Sequence, residues 1–132
     1  MLREQVLELA GGVCEYCRSP ECYSATQFSI EHILPLSRGG VTELGNLAFA
    51  CQGCNNHKYT AVRAIDAVTG TEVDLYHPRQ QAWQDHFAWS SDRTEIKGTS
   101  AAGRATVAKL KLNRPNLVRL RKLLLRAKLF PN

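Results

Sequence analysis

Two Cys-x-x-Cys pairs, Cys14-Glu15-Tyr16-Cys17 and Cys51-Gln52-Gly53-Cys54, constrain this chain more than any other feature. Thiolates two residues apart reach one ion from a single tight turn, so two pairs can enclose zinc tetrahedrally. Thirty-three residues separate Cys17 from Cys51, against roughly 15 to 20 in a short zinc ribbon. A span that long closes by folding back as two antiparallel strands. Four thiolates leave zinc no open position, so such an ion is structural and cannot activate water. Cys22 is left over, and its ordinary reading is a small hydrophobe or an idle thiol. Nothing in the chain resembles a membrane span or a secretory signal. Metal is therefore favoured over disulfides, and the cytoplasm is the expected compartment.

The segment between and after the pairs supplies the fold-back. Phe28, Ile30 and Leu34 alternate with Ser29 and Glu31 as a strand does, and Pro35 ends the run. Ser37-Arg38-Gly39-Gly40 reads as a turn, and residues 46–50 as the returning strand. Residues 55–67 can be helical, with Ala61, Ala64, Ile65 and Val68 to one side. The order is strand, long loop, strand, helix. Adjacent strand residues point to opposite faces, so Glu31 and His32 meet one ligand only where the strand is irregular. Ahead of the first pair, Leu2, Val6 and Leu9 mark a short helix stopped by Gly11-Gly12. Tyr16 is expected to pack the cysteine turn, and residues 18–25 to form a loop.

The second half reads as a hairpin over residues 66–76 turning at Thr69-Gly70, followed by an aromatic cluster of Trp83, Phe87 and Trp89. These rings are expected to form a small core against the zinc half, with His77 and His86 in polar structural roles. Asp92 falls in a turn before a strand over 94–97. Thr99 can cap a helix from Ser100, with Ala105, Val107 and Leu110 inward. Pro115 suits the first turn of a final helix capped by Asn113 or Arg114. On that helix Leu117, Leu120 and Leu124 mark the buried face, with Arg119, Arg121, Lys122, Arg126 and Lys128 outside it.

Charge is divided along the chain. Residues 1–95 sum to −5 and residues 96–132, which contain no acid, to +10, giving the net +5. An ordinary charged helix face mixes signs. The favoured use of the basic arm is therefore the backbone of duplex DNA, where phosphate contacts give affinity without sequence preference. Arg104, Lys109, Lys111, Arg114, Arg119, Arg121 and Lys122 are its candidate contacts, joined by Arg38 and Lys58 from the zinc half. The plainer alternative is a helix that packs its leucines and offsets the acidic half.

IEHILPLSRGG over residues 30–40, GNL over 45–47 and CxxCNxxK over 51–58 together resemble the HNH nuclease motif in its four-cysteine form. The resemblance runs from Cys14 to Lys58. It implies an α+β chain: a zinc-stapled ββα-metal core over residues 1–68, then a hairpin, aromatic cluster and basic helical arm over 69–132. It further implies a metal-dependent endonuclease acting on DNA, with Glu31-His32 at the acidic-His step. His32 would be the general base and Asn46 would position the loop after it. Glu31 and Asn55 would hold a hard divalent ion, Mg²⁺ or Mn²⁺, with His57 a secondary candidate. Products would carry 5′-phosphate and 3′-hydroxyl ends. Asn stands at 55 where the family has His or Asn, an oxygen donor that favours Mg²⁺ or Mn²⁺ over a second zinc. HPRQQAWQDHF and GRATVAKLKLNRP are similar to a common bacterial subgroup of small HNH proteins, which implies no particular substrate. The alternative is a non-catalytic zinc module binding nucleic acid or protein, which would need the cysteines but not Glu31, His32 and Asn55 together. Oligomeric state is open.

Overall fold

The computed structural model describes residues 2–130. In chain order these form α1 (Leu2–Ala10), β1 (Ser29–His32), β2 (Leu47–Ala50), α2 (Gln52–Lys58), β3 (Arg63–Ile65), β4 (Glu72–Asp74), β5 (Phe87–Trp89), β6 (Ile96–Gly98), α3 (Ala101–Leu110) and α4 (Pro115–Arg126). The strands make three separate antiparallel pairs, β1–β2, β3–β4 and β5–β6. The chain is α+β, with α2 following directly on the β1–β2 pair. No helix among the described residues is long and apolar enough to cross a membrane.

Local chemistry accounts for most boundaries. Gly11 and Gly12, at φ 67° and 76°, end α1 in the left-handed region where other residues pay a steric cost. Cys51 caps α2 through its sulfur, which accepts from the Cys54 amide. Ser100, one residue beyond Thr99, caps α3 by accepting from the Gly103 amide at 3.0 Å. Gly103 is required by space, since a Cβ there would lie 1.9 Å from the His86 carbonyl oxygen. Arg114 stands at the start of α4 with Pro115 in its first turn.

Three expectations are corrected. The helix over 55–67 stops at Lys58, because Tyr59 turns to φ 50° and residues 63–65 pair with β4 in the register Arg63↔Asp74 and Ile65↔Glu72. Ladder hydrogen bonds to a neighbouring strand outweigh a modest helical pattern. Around β1, Phe28 is buried and Ile30 packs on the core as the alternation suggests, but Glu31 is buried as well and Leu34, beyond the strand end, is 39% exposed. On α4, Arg121 is 1% exposed, not outside the leucine face. It sits four residues after Leu117 and three before Leu124, hence on their side of the helix. Carbonyls make that burial tolerable: its guanidinium donates to Leu112 O at 2.6 Å, Thr94 O at 3.0 Å and Cys17 O at 3.5 Å. It also donates to Asn113 Oδ1 and lies 5.4 Å from the Trp89 ring centroid.

One apolar core runs from Val6 through Phe28 and Phe49 to Leu110 and Leu117. The aromatic cluster is continuous with it. Trp83 stacks on Phe87 at 5.1 Å and donates from Nε1 to Tyr16 O at 3.1 Å, joining the rings to the first cysteine turn.

Candidate functional site

Cys14 and Cys17 follow the turn after α1, and Cys51 and Cys54 open α2. The β1–β2 fold-back brings the two pairs together. Their four sulfurs lie within 4.8 Å of one another and all four residues are buried. Zinc–sulfur bonds of about 2.3 Å give a tetrahedron with edges of about 3.8 Å, and Cys17 Sγ is 3.7 Å from Cys51 Sγ. The donor set therefore fits zinc. Burial pushes the Cys14 thiol well up, while hydrogen bonds from Cys14, Cys17 and Cys54 hold Cys51 down.

Arg114 closes over this cluster. Its Nη2 approaches Cys51 Sγ at 3.4 Å and its Nη1 approaches Cys54 Sγ at 3.6 Å. Nη1 also donates to the carbonyls of Leu110 and Lys111, both at 3.2 Å, at the end of α3. Gly53 gives it room: a Cβ there would sit 2.4 Å from Nη2. Zinc with four thiolates carries a net charge of −2, which one guanidinium halves. Arg114 is thus corrected from a free phosphate contact to a partner of the cysteine cluster.

A second feature adjoins α2 through Asn55, with Tyr59 just beyond the helix end. An open hollow of about 330 Å³ is lined by His32, Glu31, Asn55, Leu36 and Tyr59. His32, half-buried at the end of β1, has Nε2 2.8 Å from Thr42 Oγ1. Asn46 gathers the intervening loop. Its Oδ1 accepts from Leu34 N at 2.8 Å, and its Nδ2 donates to Leu34 O at 3.0 Å and Val41 O at 2.8 Å. No hydrogen-bond partner among the described residues claims the Asn55 amide. His57 does not line the hollow. Two residues on from Asn55, it is turned about 200° around the helix. Burial first, then the charges of Arg114, Lys111 and Lys109, lower its pKa.

Glu31 borders the hollow but its carboxylate is already engaged. Oε2 accepts from the Tyr16 hydroxyl, and Oε1 accepts from Lys58 Nζ at 3.1 Å. Lys58 also donates to Ile33 O at 2.9 Å and is 1% exposed. Burial raises the Glu31 pKa despite the neighbouring ammonium. Two expectations change accordingly. Lys58 is a buried counter-charge, not a phosphate contact, and Glu31 can offer an oxygen to a cation only by exchanging one of these partners.

Of the remaining arm residues, Arg104 is paired to Asp66 through two contacts of 2.9 Å. Lys109, Lys111, Arg119 and Lys122 are exposed. Sequence reasoning missed Thr42, the Tyr16–Glu31–Lys58 group and the Arg114–cysteine contact. Only Arg114 carried a signal, through the glycine at position 53.

Residues 14–61 match the family model described as HNH endonuclease. The match takes in both cysteine pairs, β1, β2 and α2. No curated protein and no solved structure matches the chain.

Proposed function

We propose that the HNH endonuclease domain over residues 14–61 hydrolyses DNA phosphodiester bonds, with His32 as general base. The observation that carries this reading is the hollow itself, which gathers His32 and an uncommitted Asn55 amide beside a cysteine cluster suited to structural zinc. In the tautomer whose Nε2–H donates to Thr42, Nδ1 of His32 is free to take the proton of a water molecule as its oxygen bonds to phosphorus. The bond from phosphorus to the 3′ oxygen breaks, that oxygen takes a proton from solvent water to leave as a 3′-hydroxyl, and His32 returns its proton to solvent. The other product carries a 5′-phosphate. Asn46 holds the loop that follows His32 and carries Thr42.

Mg²⁺ characteristically takes one or two protein oxygens and completes its shell with water and substrate phosphate, so the sparse donor set of the hollow fits such an ion bound together with substrate. Asn55 would hold it, joined by Glu31 on exchange of Lys58 or Tyr16. Held by these residues, such an ion would supply charge stabilisation for the phosphate and the departing oxygen. The exposed cations Lys109, Lys111, Arg119 and Lys122 supply backbone attraction for duplex DNA.

The test is plasmid nicking with added Mg²⁺ or Mn²⁺. His32→Ala should abolish cleavage while zinc content stays at one per chain and circular dichroism is unchanged. Equal activity of that variant would overturn the assignment. The engaged state of Glu31 favours one second reading, a binding module with an idle hollow. A gel shift without cleavage under Mg²⁺, Mn²⁺ or Ni²⁺ would select it.

A further inference from the structure

Tyr59 sits directly after α2, at the mouth of the His32 hollow, and nothing in its own fold rewards its presence there. Its backbone lies at φ 50°, ψ −118°, a conformation that costs any side chain and that glycine adopts freely. The residue is 79% exposed, the most exposed large hydrophobic among the described residues. Strain at a residue beside a candidate site points to a ligand role when the side chain contributes no packing. Leu36, 60% exposed, forms part of the same lining. A cation lies next to the rim, following Ser37 and bonded to Thr60, both of which line the hollow. Arg38 is anchored by Nε donating to Thr60 O at 2.7 Å, which leaves both Nη groups without a hydrogen-bond partner among the described residues.

An exposed aromatic face and an apolar neighbour in one lining, with a guanidinium tethered to the residue after the aromatic, match a nucleobase with its adjoining phosphate. A base inside a duplex has both faces covered by its neighbours. An aromatic ring on a protein surface reaches a base face only where the base is unstacked or turned out. We propose that Tyr59 and Arg38 form a nucleotide subsite, Tyr59 stacking on an unpaired base next to the phosphate at His32 and Arg38 taking the adjoining phosphate. The preferred substrate is then DNA with an unpaired nucleotide at the cut: a single strand, a bulge or a frayed end. This rests on the nuclease reading above and narrows its substrate.

The test compares three labelled oligonucleotides of one sequence: a single strand, the paired duplex and the duplex with one unpaired nucleotide. Binding is read by fluorescence anisotropy without added divalent ion, and cleavage with Mn²⁺, for the wild type, Tyr59→Phe, Tyr59→Gly and Arg38→Gln. Tyr59→Gly should melt no lower than the wild type, because glycine relieves the positive φ, yet bind the two unpaired substrates roughly 5- to 100-fold more weakly. Its loss on the duplex should be smaller, and Tyr59→Phe should retain the wild-type preference. Arg38→Gln should weaken binding and flatten its salt dependence. Equal losses on all three DNAs, or none, would overturn the subsite even if the wild type cleaves. If the wild type binds with the stated preference but never cleaves, the subsite stands and the hydrolytic reading falls.

Discussion

Replacing Lys58 with Met tests the buried charge pair beneath the hollow. Lys58 and Glu31 have side chains 1% and 4% exposed, and the ammonium makes its two contacts, to Glu31 Oε1 and Ile33 O, within 3.1 Å. Removing one partner of a buried ion pair leaves the other as an uncompensated charge, at a cost of about 3–5 kcal/mol. Unfolding entropy of about 2.1 cal/mol/K per residue, over 132 residues, gives a slope of roughly 0.28 kcal/mol/K, so Tm should fall by about 11–18 °C. The penalty must also depend on pH. An acid whose folded-state pKa is raised above its unfolded value binds a proton more tightly when folded. Its ionised form therefore subtracts stability as pH rises through that folded pKa. Glu31 is raised even with Lys58 present, and losing the ammonium raises it further. The Lys58→Met penalty should therefore shrink between pH 7.5 and pH 5. The double variant Glu31→Gln, Lys58→Met should recover much of the loss, because it removes the orphaned charge. Thermal melts of the zinc-loaded protein at both pH values provide the measurement. A penalty below about 1 kcal/mol, or one that grows on acidification, would refute the argument that Glu31 is a buried carboxylate dependent on Lys58.

Two further outcomes follow from the same contacts. Arg114→Ala removes the guanidinium from Cys51 and Cys54; partners of metal ligands commonly contribute 10- to 100-fold in affinity, and a loss of about that size should appear in competition with a chromophoric chelator. Gly53→Ala should mimic it in part, by displacing Arg114. Thr42→Val removes the hydroxyl that holds His32 Nε2, and should lower kcat roughly tenfold and shift the pH–rate profile while leaving Tm within a few degrees, whereas a merely structural threonine would change Tm and not the profile.

Much of the zinc half was legible because its information is local. A two-residue spacing is a property of one turn, so the cysteine pairs could be read without knowing what they meet. The same holds for Gly11-Gly12, for Pro115 and for the segregation of acids from the basic arm. Folding those pairs onto one centre then obliges the intervening chain to return on itself, which is the β1–β2 pair. Alternation along β1 does not show that Glu31 is buried along with its apolar neighbours. Burying Glu31 requires a countercharge, and that comes from Lys58, 27 residues on. The helix after Cys54 was drawn too long because the strand that claims residues 63–65 lies beyond the next turn.

The basic arm shows the division most clearly. Its composition is a fact of sequence, and it establishes an excess of positive charge that something must balance. Which cations are left for a polyanion was decided only by packing. Arg121 spends its donors on carbonyls as distant in sequence as Cys17, Arg114 covers the thiol of Cys54, 60 residues before it, and Arg104 answers Asp66. A guanidinium has the same charge wherever it lies, but its partners are set by three-dimensional neighbours that no local pattern encodes.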